Sequence, residues 1–147
     1  MLIMAVDDEI LALEDFEDTC REVGINDEIV KFNNPIEALG FIACNKVDIA
    51  FLDIEMPVIK GLELARRINT INNNTKIVFV TGFKEYAYDA YRVNAIGYIL
   101  KPYDDDAVYN EIEKAERLSS VVSKKEIAVK TFGYFDIFVN NKPVYFS

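Results

Sequence analysis

The chain contains no histidine, and this absence excludes several kinds of chemistry. A zinc site built on imidazole, a serine or cysteine nucleophile activated by histidine, and an imidazole proton shuttle all require that residue. Any acid–base or phosphoryl chemistry in this chain must therefore use aspartate, glutamate, lysine, tyrosine or a metal ion.

Basic residues, cysteines and long apolar runs are also scarce. The 16 lysines and arginines face 25 acidic residues, and the net charge of −9 argues against binding of nucleic acid through a general basic surface. No run approaches the roughly 18 apolar residues of a membrane span, and we predict no signal peptide. Cys20 and Cys44 both lie in apolar patterns, which predicts reduced core residues of a cytoplasmic protein rather than a disulfide.

Short apolar runs alternate with segments of helical periodicity along most of the chain. With 147 residues, 51% of them hydrophobic and 28% charged, we expect one soluble globular domain and part of a second. Alternating strands and helices predict an α/β fold, in which a parallel sheet is covered by helices on both faces. The predicted strands span residues 2–6, 28–32, 47–53, 76–80 and 97–100, and a helix follows each of them.

Polar residues stand at the ends of four of these strands, in an otherwise apolar frame. Asp7 and Asp8 follow the first strand, Asp53 ends the third, Thr81 follows the fourth and Lys101 the fifth. The carboxyl ends of parallel strands lie at one edge of the sheet, where ligands of α/β proteins collect. The structural alternatives are that Asp53 opens a turn and that Asp7 and Asp8 cap the first helix.

Three carboxylates at one sheet edge would repel one another unless a cation joined them. A hard cation that prefers oxygen ligands, with Mg²⁺ the best fit, would resolve this repulsion. Lys101 would offer a positive charge to a nearby anion, and Thr81 would offer a hydroxyl donor. Because an aspartate carboxylate can attack phosphorus, these side chains predict a cradle for a phosphoryl group.

Four short segments match one family, and residues 1–122 resemble the receiver domain of two-component response regulators. The resemblance implies a doubly wound, flavodoxin-like fold whose five-stranded parallel sheet has the strand order 2-1-3-4-5. The matching segments are Met4-Ala5-Val6-Asp7-Asp8-Glu9, Phe51-Leu52-Asp53-Ile54-Glu55-Met56-Pro57, Val80-Thr81-Gly82 and Tyr98-Ile99-Leu100-Lys101-Pro102.

The resemblance also implies a role for each matching residue. Asp53 corresponds to the phosphoacceptor, which becomes a 4-aspartylphosphate. Asp7 and Asp8 correspond to the acidic pair that binds Mg²⁺ together with Asp53, and the main-chain carbonyl of Glu55 would be a further ligand. For the remaining positions, the resemblance implies that Thr81 and Lys101 contact the phosphoryl oxygens and that Thr81 and the aromatic Tyr98 form the switch. It also implies a cis bond between Lys101 and Pro102.

The family receives its phosphoryl group from a phosphohistidine on a sensor histidine kinase, so the donor that this chain lacks would lie on a partner. The resemblance further implies a homodimer formed through the face of the fourth helix, fifth strand and fifth helix. Four aromatic residues near the fourth helix are either core and scattered surface rings or a face that meets a partner after phosphorylation: Phe83, Tyr86, Tyr88 and Tyr91.

The pattern changes after residue 118. Residues 119–125 predict a linker or a frayed helix end, and strands are predicted at 126–131, 134–139 and 143–146. We therefore divide the chain into a receiver domain at 1–122 and, at 123–147, a linker with an incomplete sheet. This tail resembles the opening sheet of a winged-helix domain of antibiotic-regulatory-type transcription activators, which implies DNA binding only through an output domain beyond Ser147.

Two other functions are compatible with an aspartate at a strand end. One is a phosphatase or phosphotransferase with Asp53 as its nucleophile. The haloacid-dehalogenase type would require a second aspartate two residues later, and this chain has Glu55 there. The other is a stand-alone interaction module without an output domain, against which the tail at 124–147 argues.

Overall fold

Five strands and five helices alternate along the part of the chain that the structure describes. The structure, a computed structural model, describes the backbone of residues 1–128 and the side chains of residues 1–119. The strands are β1 (Leu2–Val6), β2 (Glu28–Phe32), β3 (Ile49–Leu52), β4 (Lys76–Thr81) and β5 (Gly97–Leu100). The helices are α1 (Ile10–Glu22), α2 (Pro35–Cys44), α3 (Gly61–Ile71), α4 (Ala87–Arg92) and α5 (Asp105–Ala128), with a 3₁₀ turn at Lys84–Tyr86 before α4.

All five strands are parallel and form one sheet in the order β2-β1-β3-β4-β5, which confirms the predicted fold and strand order. The register aligns the strand ends. Val6 lies opposite both Phe32 and Leu52, and Thr81 lies opposite Leu100. The residues that follow β1, β3 and β5 therefore emerge at the same edge of the sheet.

Both faces of the sheet are buried under helices. Successive side chains of a strand point to opposite faces, so neighbouring residues enter different hydrophobic clusters. In β1, Ile3 and Ala5 join one hydrophobic cluster, and Met4 and Val6 join the other. Burial of each large apolar side chain contributes about 1.5–3 kcal/mol, which is why these strands appear as nearly unbroken apolar runs. The first cluster is completed by the buried side chains of α1 and α5, namely Leu13, Phe16, Cys20, Val108, Ile112 and Ala115, and the second by those of α2 and α3, namely Ala38, Ile42, Leu64, Ala65 and Ile68.

Local signals in the sequence set two of the helix boundaries. Asn34 caps α2, since its side-chain oxygen accepts a hydrogen bond of 2.8 Å from the Ile36 amide, and Pro35 occupies the first helical position. Helix α1 ends beside Gly24, whose φ of 90° lies in the left-handed region that glycine adopts without strain.

Strand β3 is shorter than predicted. It begins at Ile49 rather than at residue 47. Asp48 instead forms two hydrogen bonds with the backbone of Leu2, the first residue of β1. Its amide donates to the Leu2 carbonyl at 3.0 Å, and its carboxylate accepts from the Leu2 amide at 2.7 Å.

The prediction that both cysteines are core residues is wrong for Cys44. Cys20 is buried, whereas Cys44 is exposed, and both are free thiols. The buried stripe of α2 contains Ala38 and Ile42, which are four residues apart and share a face. Cys44 follows Ile42 by two residues, and a rotation of about 200° turns it toward solvent.

The end of α5 differs from the predicted tail. The helix runs to Ala128 through the segment predicted as a linker or a frayed helix end, and through the start of the strand predicted at 126–131. The contacts divide the chain after Ala115, and a domain boundary at residue 122 stays a prediction. The strands at 134–139 and 143–146, and with them the winged-helix resemblance, lie outside the described residues. None of the helices within that described part has the length and apolar character needed to cross a membrane.

Candidate functional site

Asp53 directly follows β3 and is held there by backbone hydrogen bonds. Its amide donates to the Val6 carbonyl at 3.0 Å, which extends the parallel ladder by one residue. Its carboxylate is only 9% exposed, and Oδ1 accepts a hydrogen bond of 2.9 Å from the Ile54 amide. The second oxygen, Oδ2, accepts no hydrogen bond from the described residues, so it is the oxygen available for chemistry.

Asp7 and Asp8 lie beside Asp53 at the end of β1. The Asp7 amide donates to the Phe32 carbonyl at 3.2 Å, and its carboxylate Oδ1 accepts from the Glu9 amide at 3.0 Å. Helix α1 has Glu9 as its N-cap residue, without a side-chain cap bond, so neither aspartate serves as its cap. Asp7 is 6% exposed and Asp8 is exposed to solvent.

These three carboxylates form a cluster that fits a hard divalent cation. Asp7, Asp8 and Asp53 each offer one oxygen, and the three oxygens lie within 4.8 Å of one another. Carboxylate oxygens with room for water and phosphate oxygens are the ligand set that Mg²⁺ prefers. The donor set therefore fits the ion that the sequence predicts.

Lys101 connects β5 to the same cluster. Its amide donates to the Thr81 carbonyl at 2.8 Å, and its Nζ donates to Asp7 Oδ2 at 2.8 Å. The peptide bond between Lys101 and Pro102 is cis, as the resemblance implies. Burial alone would lower the pKa of Lys101, but its bond to Asp7 and the negative charges of Asp7 and Asp53 raise that pKa on balance, so the ammonium stays charged.

Thr81 and Tyr98 are linked through the loop after β4. Thr81 is fully buried at the end of β4, and its hydroxyl accepts a hydrogen bond of 3.3 Å from the Phe83 amide. The hydroxyl of Tyr98, which is half-buried in β5, donates to the Phe83 carbonyl. A movement of the Phe83 backbone would therefore change a hydrogen bond of both Thr81 and Tyr98, the side chains that the resemblance assigns to the switch.

The side chain of Glu55 is occupied by other partners. Its carboxylate accepts a hydrogen bond from the hydroxyl of Tyr86 and pairs with Lys60 Nζ at 2.9 Å. It does not belong to the cluster of Asp7, Asp8 and Asp53. A metal contact through its main-chain carbonyl stays a prediction.

Tyr86 and Lys60 are the residues at this site that the sequence did not identify. Tyr86 drew notice only as one of several aromatic residues near the fourth helix. It lies 31 residues from Glu55, and only the parallel arrangement of β3 and β4 brings the two loops together. No sequence signal pairs them, although the resemblance did assign a metal contact to the main-chain carbonyl of Glu55.

A cleft opens beside the cluster and gives it access to solvent. Its volume is about 630 Å³, and Asp7, Asp53 and Lys101 line one side. Pro102 and Tyr103 line the part that follows β5. The space is sufficient for a phosphoryl group to approach Asp53.

Burial and charge shift the protonation of Asp53. Removal from water and, after it, the negative charge of Asp7 raise the pKa of its carboxyl to about 6, against the opposing effects of the Lys101 charge and the hydrogen bond from the Ile54 amide. In the unfolded chain the carboxyl has its ordinary value of 3.8. Between these two values the folded state binds more protons than the unfolded state.

We therefore expect the contribution of Asp53 to the free energy of unfolding to fall as the pH rises from about 4 to 6 in the absence of divalent metal, and then to level off. The destabilisation from ionised Asp53 is absent below pH 3.8 and complete above about pH 6, where it amounts to about 2–3 kcal/mol. Urea unfolding in EDTA, compared between wild type and Asp53→Asn at each pH, isolates this contribution. An equal difference between the two proteins at pH 4 and at pH 7 would contradict it.

Comparisons with known proteins agree with this geometry. Residues 3–113 match the family described as response regulator receiver domain. The chain is 34% identical to the transcriptional regulatory protein YpdB of Escherichia coli K12 over 116 residues, which cover 79% of this chain and 48% of that protein. It is also 34% identical to the sensory transduction protein LytT of Bacillus anthracis over 130 residues, covering 85% and 52% respectively. The chain thus spans about half the length of the curated relatives it matches.

Two solved structures are similar in both sequence and fold. The response regulatory domain of MrkE from Klebsiella pneumoniae is 35% identical with a TM-score of 0.73, and the match covers 80% of this chain and 97% of that one. The response regulator TrrA from Thermotoga maritima, crystallised in complex with Mg²⁺ and BeF, is 32% identical with a TM-score of 0.70, covering 78% and 97%.

Proposed function

The chain belongs to the family of response regulator receiver domains, and from that premise we propose that Asp53 accepts a phosphoryl group from a sensor histidine kinase. The observation that carries the proposal is the meeting of Asp53 with Asp7, Asp8 and Lys101 at one edge of the sheet. A buried carboxyl whose pKa is shifted by burial and by specific charged neighbours, at the side of an open cleft, is typical of a functional site.

In the proposed step, Asp53 Oδ2 attacks phosphorus. The new P–O bond gives an acyl phosphate, and the P–N bond to the donor imidazole breaks, with its electron pair returning to nitrogen. The Ile54 amide fixes the carboxylate by holding Oδ1. Lys101 lies next to Asp7 and Asp53, where its ammonium can turn from Asp7 to a phosphoryl oxygen and offset the developing charge.

Mg²⁺, when bound, would offset the charge of the three carboxylates and of the phosphoryl oxygens. We assign Asp7, Asp8 and Asp53 as its side-chain ligands and the Glu55 main-chain carbonyl as a further ligand. Without a cation, ionised Asp53 is disfavoured by its burial and by the charge of Asp7, as its raised pKa indicates. Addition of Mg²⁺ is therefore expected to raise the melting temperature of the wild-type chain, and EDTA is expected to reverse this.

The switch would operate through Thr81 and Tyr98. A phosphoryl group on Asp53 offers acceptor oxygens to the Thr81 hydroxyl, which now accepts from the Phe83 amide. If Thr81 turns toward the phosphoryl group, the Phe83 segment loses that bond, and the Tyr98 hydroxyl that binds the Phe83 carbonyl must follow. A local change of charge would thus repack the surface formed by α4, β5 and α5.

We further propose a homodimer through that surface and control of DNA by an output domain beyond Ser147. Large apolar side chains on α4, β5 and α5 support the dimer, namely Tyr88, Tyr91, Leu100 and Tyr109, each of which is at least 39% exposed. The printed names of YpdB and LytT, a transcriptional regulatory and a sensory transduction protein, support an output in transcription. Both the output and a cytoplasmic location stay predictions.

The alternative of a phosphatase with an Asp53 nucleophile is less well supported. A second acid two residues after the nucleophile would have to reach the substrate, but the Glu55 carboxylate is held by Tyr86 and Lys60. We therefore expect almost no steady-state turnover of phosphate monoesters.

The test of the proposal is incubation with a small phosphodonor such as acetyl phosphate. With Mg²⁺, the intact mass should increase by one phosphoryl group; with EDTA, incorporation should fall at least about tenfold, because the like charges at the site then oppose the anionic donor. Intact-protein mass spectrometry measures both. A chain that remains unmodified at saturating donor and Mg²⁺ would contradict the proposed function.

A further inference from the structure

The loop between β3 and α3, residues 54–60, carries a side-chain connection to the next loop of the sheet. Tyr86, the last residue of the 3₁₀ turn after β4, donates its hydroxyl hydrogen to Glu55 Oε2. Lys60 binds the other oxygen, Oε1, at 2.9 Å. Each oxygen of the Glu55 carboxylate therefore has a side-chain partner, and the carboxylate does not belong to the acidic cluster.

The two ends of this connection differ in rigidity. Tyr86 is half-buried, packs against the hydrophobic cluster of α2 and α3, and meets the Phe83 ring edge-on at a centroid distance of 6.1 Å. Lys60 is exposed, so its ion pair is weak and competes with water. The fixed partner of Glu55 is accordingly the tyrosine, and the lysine adds little positional constraint.

The loop needs such a constraint. Val58 has a φ of 73°, in a region that a β-branched residue rarely adopts, and its side chain is 79% exposed. The other anchors of the loop include the buried side chains of Ile54, Met56 and Ile59. Glu55 is the loop residue that the next loop holds through a hydrogen bond, and it lies only two residues from Asp53.

We propose that Tyr86 is a positioning residue for the metal site, and that it acts by holding Glu55. The inference rests on the proposed function, in which Asp53 and the Glu55 main chain are ligands of Mg²⁺. Mg²⁺ requires nearly ideal octahedral geometry, so a ligand backbone that is fixed before binding should bind more tightly than one that must be ordered. The hydroxyl of Tyr86 touches no reacting atom and alters the site only through Glu55.

The test is a titration of the chain with Mg²⁺ alone, in which isothermal titration calorimetry at constant ionic strength measures the dissociation constant. Tyr86→Phe keeps the ring and its packing but removes the hydroxyl, and we expect it to weaken Mg²⁺ binding about three- to tenfold. The matched control is Tyr88→Phe, on the neighbouring helix α4, where the side chain is 69% exposed. That variant should keep the wild-type dissociation constant.

A second pair of variants tests whether the effect passes through Glu55. Glu55→Gln and Glu55→Ala remove the same charge, but only glutamine retains an oxygen that can accept from Tyr86. We expect Glu55→Gln to bind Mg²⁺ more tightly than Glu55→Ala, and Tyr86→Phe to have no further effect in the Glu55→Ala background. Equal binding by the two Glu55 variants, or wild-type binding by Tyr86→Phe, would overturn the inference.

The outcomes separate this inference from the proposed function. A chain that binds Mg²⁺ and responds to Tyr86→Phe, yet accepts no phosphoryl group from acetyl phosphate, contradicts the phosphotransfer and leaves the positioning role standing. A chain that is phosphorylated but whose Mg²⁺ affinity ignores Tyr86 overturns the positioning role alone. A wild-type chain that binds no Mg²⁺ overturns both.

Discussion

Asp53→Asn is expected to abolish incorporation of a phosphoryl group from acetyl phosphate, with a loss of at least about a hundredfold in the labelled fraction. Asparagine keeps the size of the side chain and an oxygen that can accept from the Ile54 amide. It removes the anionic oxygen that must attack phosphorus, and a neutral amide is a far weaker nucleophile. Intact mass and peptide mapping after exposure to the donor with Mg²⁺ measure the effect.

The matched control for this experiment is Asp18→Asn, which makes the same chemical change on the exposed side of α1. It should be labelled to the same extent as the wild type. Labelling of Asp53→Asn at the wild-type yield would show that another residue is the acceptor. Because removal of a buried charge is expected to stabilise Asp53→Asn above pH 6, loss of labelling in this variant would not reflect unfolding.

Gly61→Ala should destabilise the fold by about 3 kcal/mol or more, an unusually large effect for the addition of one methyl group. Gly61 opens α3, and its amide donates to the Ile54 carbonyl at 2.8 Å. A Cβ atom at this position would lie 2.0 Å from the main-chain oxygen of Asp53 and 2.7 Å from Cα of Ile54. Both are backbone atoms, one of Asp53 itself and one of the residue that follows it. They can move only if the backbone of the site is distorted.

Gly40→Ala provides the comparison, because a Cβ on Gly40 in α2 meets no atom within 4 Å. Alanine favours a helix interior over glycine by about 1 kcal/mol, so this variant should be slightly more stable than the wild type. Urea denaturation of the three proteins gives both values. If Gly61→Ala proved as stable as Gly40→Ala, α3 would not approach the Asp53 carbonyl as closely as described.

The elements of this fold were predictable because each follows from a local pattern. Apolar runs marked the strands, and alternation of strands and helices predicted the parallel sheet. The resemblance supplied the strand order and the cis bond at Pro102, and the structure agrees with both. Convergence of Asp7, Asp8 and Asp53 could also be expected, since residues after parallel strands share one edge.

Features that depend on contacts between distant segments were not predictable. The bond from Tyr86 to Glu55 joins residues 31 apart through two loops, and the tight approach of Gly61 to Asp53 depends on how α3 packs. The pairing of Lys101 with Asp7 was likewise unforeseen, because the sequence indicated an anion for the lysine without naming a side chain that would bind it. Cys44 was misassigned because an apolar segment conceals which helix face a single residue occupies.

The exposure of Cys44 provides a means of observing the proposed dimer. Helix α2 begins at Pro35, near the carboxyl ends of the strands, and runs back along the sheet, so its last residue lies at the edge opposite the acidic cluster. Burial raises the pKa of the Cys20 thiol to about 12, which leaves Cys44 as the reactive thiol of this two-cysteine sequence. A maleimide fluorophore should therefore attach at one place, away from Asp53, and its anisotropy should rise when the proposed dimer forms, without an engineered label site.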